Sequence, residues 1–161
     1  KVIAYHIALG DTQVKLGRQD EGLKTYENAI KLFPRNVPLV VAYAERLLDL
    51  KQAKKAHTIL LDLLNQVQPT PDQVRLIARA ASEADEHAES LYYLSEYRFM
   101  MGDLNGGISY LQQALQLPEL QEIQRIRFEA RIDFIREFMT EEQLRNMQRA
   151  RPSSKSARNG S

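Results

Sequence analysis

Apolar residues recur at three- and four-residue intervals through most of the chain, in stretches separated by connectors only a few residues long. That spacing places one apolar stripe on each of a series of helices. No stretch alternates apolar and polar side chains over strand length with β-branched enrichment, so the pattern predicts helices throughout and no sheet.

The helices fall into a repeat. Leu9, Gly10, Gly17, Gly22, Tyr26, Ala29 and Pro34 come in the order a helical hairpin needs: small residues where two helices touch, an aromatic filling the gap, a proline ending the second helix. Helices near 2–17 and 20–33 follow. A period of about 34 residues carries Gly10 to Ala44, Gly22 to Ala56 and Tyr26 to Leu60, with the proline arriving at Pro69. A further period carries Ala44 to Ala78, with Val74 and Ile77 on the same face. Ala88, Tyr92 and Ser95 then take the small, large and small roles after a shortened turn. The helix near 86–101 serves twice, because Leu91, Leu94, Ser95, Gly102, Gly107, Leu111, Ala114 and Pro118 make another hairpin with it as first member. The expected fold is all-α, a right-handed superhelical solenoid of about eight antiparallel helices, each too short to persist in water without its neighbours.

Start signals agree with these boundaries. Thr70, Pro71 and Gln73 combine an N-cap hydroxyl, a first-turn proline and a capping-box glutamine; Thr140 and Gln143 repeat the box, and Asn36 and Asp85 are candidate caps. The solenoid and its closing helix are assigned to residues 1–147. Residues 148–161, where Arg149, Arg151, Lys155 and Arg158 sit among serine, proline, asparagine and glycine, are expected to be a disordered basic tail. Lys1 in place of a methionine reads as the start of the C-terminal part of a longer chain, and no apolar run approaches the length of a membrane span.

Composition narrows the function classes. With 43% hydrophobic and 27% charged residues and a formal net charge of +1, nothing argues for a nucleic-acid or cation-binding surface. Cysteine is absent, which removes disulfides, thiolate metal sites and cysteine nucleophiles. His6, His57 and His87 fall on three different helices and none belongs to an HExxH, so no metal site and no catalytic residue is assigned. Gly102, Gly106 and Gly107 follow a helix rather than a strand and lack the lysine of a phosphate loop; helix termination and close packing explain them.

What remains is a surface for partners. The repeat register puts Ile7, Asp11, Val14, Val41, Glu45, Leu48, Arg75 and Arg79 on the inner, concave face formed by first helices of successive hairpins, where partner segments lie in such architectures. Its character runs from acidic and apolar to doubly basic.

The hairpin pattern resembles tetratricopeptide repeats over nearly all of residues 1–117, without their usual tryptophan. The run from Glu89 to Gly107, then Ile108–Leu111, and Ala130-Arg131-Ile132-Asp133 after Ile126–Glu129 is similar to the C-terminal repeat domain of BepA-type zinc metallopeptidases. That resemblance implies a periplasmic parent whose zinc and HExxH belong to another part of the chain, leaving no cofactor here. It also implies protein partners: the outer-membrane β-barrel assembly machinery and its substrates. A scaffold of a secretion, pilus or cell-envelope assembly factor with no protease attached is the alternative.

Overall fold

A computed structural model describes residues 2–150. Among them are nine helices and no strand: α1 (Val2–Lys15), α2 (Gln19–Leu32), α3 (Val37–Asp49), α4 (Ala53–Leu64), α5 (Pro71–Glu83), α6 (His87–Met100), α7 (Leu104–Ala114), α8 (Glu122–Arg136) and α9 (Glu141–Ala150). Consecutive helices from α1 to α8 pack on one another, and α3 also touches both α1 and α5, so that the three form a layer. The ninth helix arises because the closing segment breaks at Thr140. There Gln143 Oε1 accepts from the Thr140 amide at 2.9 Å and Thr140 Oγ1 from the Gln143 amide at 3.3 Å, opening α9. That helix runs to Ala150, so only 151–161 of the predicted basic tail lie outside the described residues.

The hairpin turns record the period directly. Backbone φ is positive at Gly17, Lys51 and Asp85, successive positions one full repeat apart, and then at Gly102, half a repeat later. The half-step is the signature of α6 acting both as second helix to α5 and as first helix to α7; it packs extensively on both. Its apolar residues accordingly run around the helix instead of forming one stripe. Adjacent Tyr93 and Tyr92 serve different cores. Tyr93 packs against the N-terminal cluster built on Tyr26, Leu39, Leu47 and Leu60, and Tyr92 against the C-terminal one built on Ile108, Leu111, Phe128 and Ile135. The α5–α6 seam between the clusters is small and tight: Ala78, Ala81 and Ser90 are buried, and Ser90 Oγ donates to the Ala78 carbonyl at 2.9 Å.

Caps behave largely as the residue types dictate. Asn36 accepts from the Leu39 amide at 3.1 Å, and Thr70 with Gln73 closes its capping box. Asp85 does not cap; with φ 65° it forms the turn, and Glu86 takes the N-cap position of α6.

Two ion pairs fasten the closing helix α8 to α6. Arg127 donates from one nitrogen, Nη2, to both Glu89 oxygens at 2.6 and 2.7 Å, and Arg131 reaches Glu96 with two nitrogens, Nε and Nη2, at 2.6 and 2.8 Å, a two-pronged pair. Both guanidiniums also lie over aromatic faces, Arg127 at 4.5 Å from the Tyr92 ring centre and Arg131 at 4.5 Å from Phe134. The Ala130–Asp133 segment therefore has a structural reason: Arg131 locks α8 to α6, and Ile132 is buried beneath it.

His57 sits on α4 at 8% exposure, and its Nε2 has no hydrogen-bond partner. Burial holds its basicity below the ordinary histidine range, against the opposing pull of Glu86 and Glu89. A depressed histidine contributes stability that is present above about pH 6.5 and is lost as the pH falls further, because the unfolded chain takes the proton first. The urea midpoint should therefore fall between pH 7.5 and 5.5 more steeply in the native chain than in His57→Leu. Parallel pH profiles would show that His57 is neutral to folding.

Candidate protein-binding surfaces

The α1–α3–α5 layer uses half of the predicted inner-face residues internally. Asp11 Oδ1 accepts from the Tyr26 hydroxyl at 2.6 Å and stands 3.3 Å from Arg46 Nε, tying α1 to α2 and α3. Burial, reinforced by that carboxylate, raises the Tyr26 phenol well above its usual range. The Ile7 carbonyl lies 3.3 Å from the same hydroxyl, and the Ile7 side chain packs on the N-terminal core. Val14 turns toward α2, where its Cγ2 occupies the space beside Gly22. Leu48 is fully buried. These four are structural, because each faces a neighbouring helix closer than the repeat register alone reveals.

The other four keep an outward aspect. Val41 is half-buried and Glu45, Arg75 and Arg79 are exposed. Arg75 lies 5.9 Å from the Tyr97 ring and Arg79 pairs with Glu83 at 2.8 Å, both contacts an incoming segment could exchange with water.

The opposite side of the same hairpins carries a feature that the register did not single out. α2 and α4 barely meet, since each packs on α3 instead, and the space between them is a cleft of about 390 Å³. Its floor is Val40 and Tyr43 from α3; Ile30 and Pro34 form one wall, Ile59 and Leu63 of α4 the other. Tyr43 stacks on Tyr26, ring centres 5.5 Å apart, which fixes the floor. At one end Glu27 Oε1 accepts from Tyr43 at 2.8 Å and from Lys55 at 2.6 Å. The bond from Lys55 holds the Glu27 carboxyl below its ordinary range, and the same contact raises the Lys55 ammonium. The trio keeps the end of the cleft charged but internally balanced. A wider depression of about 710 Å³ lies between α7 and α8, but it is walled largely by Gln112, Gln113, Gln116, Glu129, Asp133 and Arg136, which water satisfies. The sequence signal for the α2–α4 cleft is Ile30 on α2 with Ile59 and Leu63 on α4, apolar positions at the edge of the N-terminal core that also line the cleft.

Among the described residues no three histidines or carboxylates are grouped to hold a metal ion, and no helix is long and apolar enough to cross a membrane.

The arrangement is that of stacked helical hairpins, and residues 13–80 match the tetratricopeptide repeat family model. No curated protein matches the chain. Similar solved structures include a crystal structure of MamA protein, 16% identical with a TM-score of 0.49 over 84% of this chain and 81% of that one. A second crystal structure of MamA is 17% identical, with a TM-score of 0.46 over 86% of each chain.

Proposed function

We propose that this chain is a protein-interaction scaffold that acts by binding, with the cleft between α2 and α4 as its principal docking surface. The observation that carries this reading is a pre-formed, mostly apolar cleft on a rigid floor, inside the stretch that matches the tetratricopeptide repeat model. Apolar walls with a few fixed polar groups are what a partner's side chains require. The inner face, with Val41, Glu45, Arg75 and Arg79, is the second candidate, favoured by the exposure of its two arginines.

The resemblance of α8 to the closing helix of BepA-type proteins supports a finer reading. On it, the chain is the C-terminal repeat arm of a periplasmic zinc metallopeptidase that docks on the β-barrel assembly machinery and its substrates, the zinc residing in the protease part. A scaffold of a secretion, pilus or envelope assembly factor is the alternative.

A photo-crosslinking amino acid placed at Ile59, and separately at Arg79, tests both levels against an unfolded outer-membrane β-barrel protein as bait. Adducts from Ile59 are expected. Adducts from Arg79 alone would move the binding surface to the inner face. Adducts from neither would remove the barrel-protein reading in favour of the alternative scaffold.

A further inference from the structure

The cleft does not end at the Glu27–Lys55–Tyr43 trio. Beyond it a second depression of about 410 Å³ shares Glu27, Lys31 and Lys55 and runs on past Lys24 to Asp20 and Gln52. The two together follow α2 from Asp20 to Pro34, about 21 Å at 1.5 Å per residue. That length takes about six residues of extended peptide, or a helix of the length of α2.

Its two halves differ in chemistry. The Pro34 end is mostly apolar, with Ile30, Ile59 and Leu63, and the polar groups of α4 and its C-terminal turn that reach it are Asp62 and Gln66. The Asp20 end is cationic in balance. Lys55 and Glu27 cancel, whereas Lys24, in this half, and Lys31, which lines both halves at their junction beside Ile30, lie within ion-pair distance of no carboxylate among the described residues. Asp20 is the opposing charge, and it sits in the first turn of α2, where a carboxylate answers the helix's own dipole. The first turn of α4 adds to the positive sign: beside the paired Lys55 it holds Lys54, contains no acid, and receives no side-chain cap from Gln52.

We infer that the groove binds a short partner segment of fixed polarity, with large apolar side chains seated between Ile30 and Ile59 and aspartates or glutamates lying from Lys31, at the junction of the two halves, to Lys24 beyond it. This inference rests on the reading of the cleft as a docking surface. Charge complementarity sets the direction of the segment, and apolar burial supplies most of the affinity. The cationic end is exposed, so its contribution falls as salt rises.

The probe is a random twelve-residue peptide library displayed on phage and selected against the whole chain, followed by fluorescence anisotropy on the enriched peptides. Enriched sequences should carry acidic residues at one end and leucine, isoleucine or phenylalanine toward the other. Lys24→Glu/Lys31→Glu, with helicity checked by circular dichroism, should weaken binding at least tenfold, and Ile59→Gln should weaken it similarly. Arg75→Glu/Arg79→Glu should leave it unchanged. Peptides lost with Ile59→Gln but indifferent to the lysine reversal would overturn the polarity and leave the cleft standing. Peptides lost only with the arginine reversal would overturn the cleft as well, and so would a selection that enriches nothing.

Discussion

Gly22→Leu should lower the free energy of unfolding by about 3 kcal/mol, and even Gly22→Ala should destabilise the chain. Helix propensity alone predicts the opposite for alanine, a gain of about 1 kcal/mol in mid-helix. Contact decides against it. A Cβ at position 22 would fall 2.6 Å from Val14 Cγ2 and 2.8 Å from the Gly10 carbonyl oxygen. The valine can rotate, but the carbonyl belongs to the backbone of α1 and yields only if the whole helix moves. Gly10 is held from the other side, since a Cβ there would meet the buried Tyr26 ring at 2.6 Å. The two glycines thus set the α1–α2 distance, and with it the Tyr26–Asp11 bond. Urea titration at constant slope would register the loss as a lower midpoint. A higher midpoint for Gly22→Ala would mean that the helices lie further apart than this geometry places them.

Phe128→Ala should cost about 4 kcal/mol and should do so unevenly. Phe128 is fully buried, stacks on Tyr92 with ring centres 5.4 Å apart and lies beneath the Arg127 guanidinium. Its loss opens a cavity that the ion-paired α8 cannot close without giving up Glu89 or Glu96. The damage is confined to the C-terminal cluster, because in a stack of hairpins each unit contacts only its neighbours. Hydrogen exchange should therefore show amides of α8 losing protection in the variant while those of α3 keep theirs. Equal loss in both helices would show that the α5–α6 seam transmits stability as strongly as the two cores do.

Much of this architecture was legible in residue types. Gly10, Gly22, Ala44, Ala56 and Ala78 marked helix contacts by size alone, and all five are buried. The double role of helix 86–101 could be read from two overlapping hairpin patterns, and the half-period step from Asp85 to Gly102 is its backbone counterpart. The surface was less legible. Val41 and Leu48, seven residues apart, differ by about 20° around a helix, yet Val41 is half-buried and Leu48 fully buried. That small angle straddles the edge of the neighbouring helices' footprint, which no single-helix pattern locates. Asp11 was lost to the inner face for a related reason: the hydroxyl that captures it comes from a residue fifteen positions away.

The sequence by itself determined the all-helical class, the repeat period, the hairpin contacts and most caps, because each depends on side-chain size, backbone freedom or hydrogen bonds within a turn or two. The tertiary structure decided which polar residues are spent between helices and where a cleft remains. Both depend on interhelical distance, set when Gly22 brings α1 and α2 together while α2 and α4 are each drawn onto α3 and away from one another.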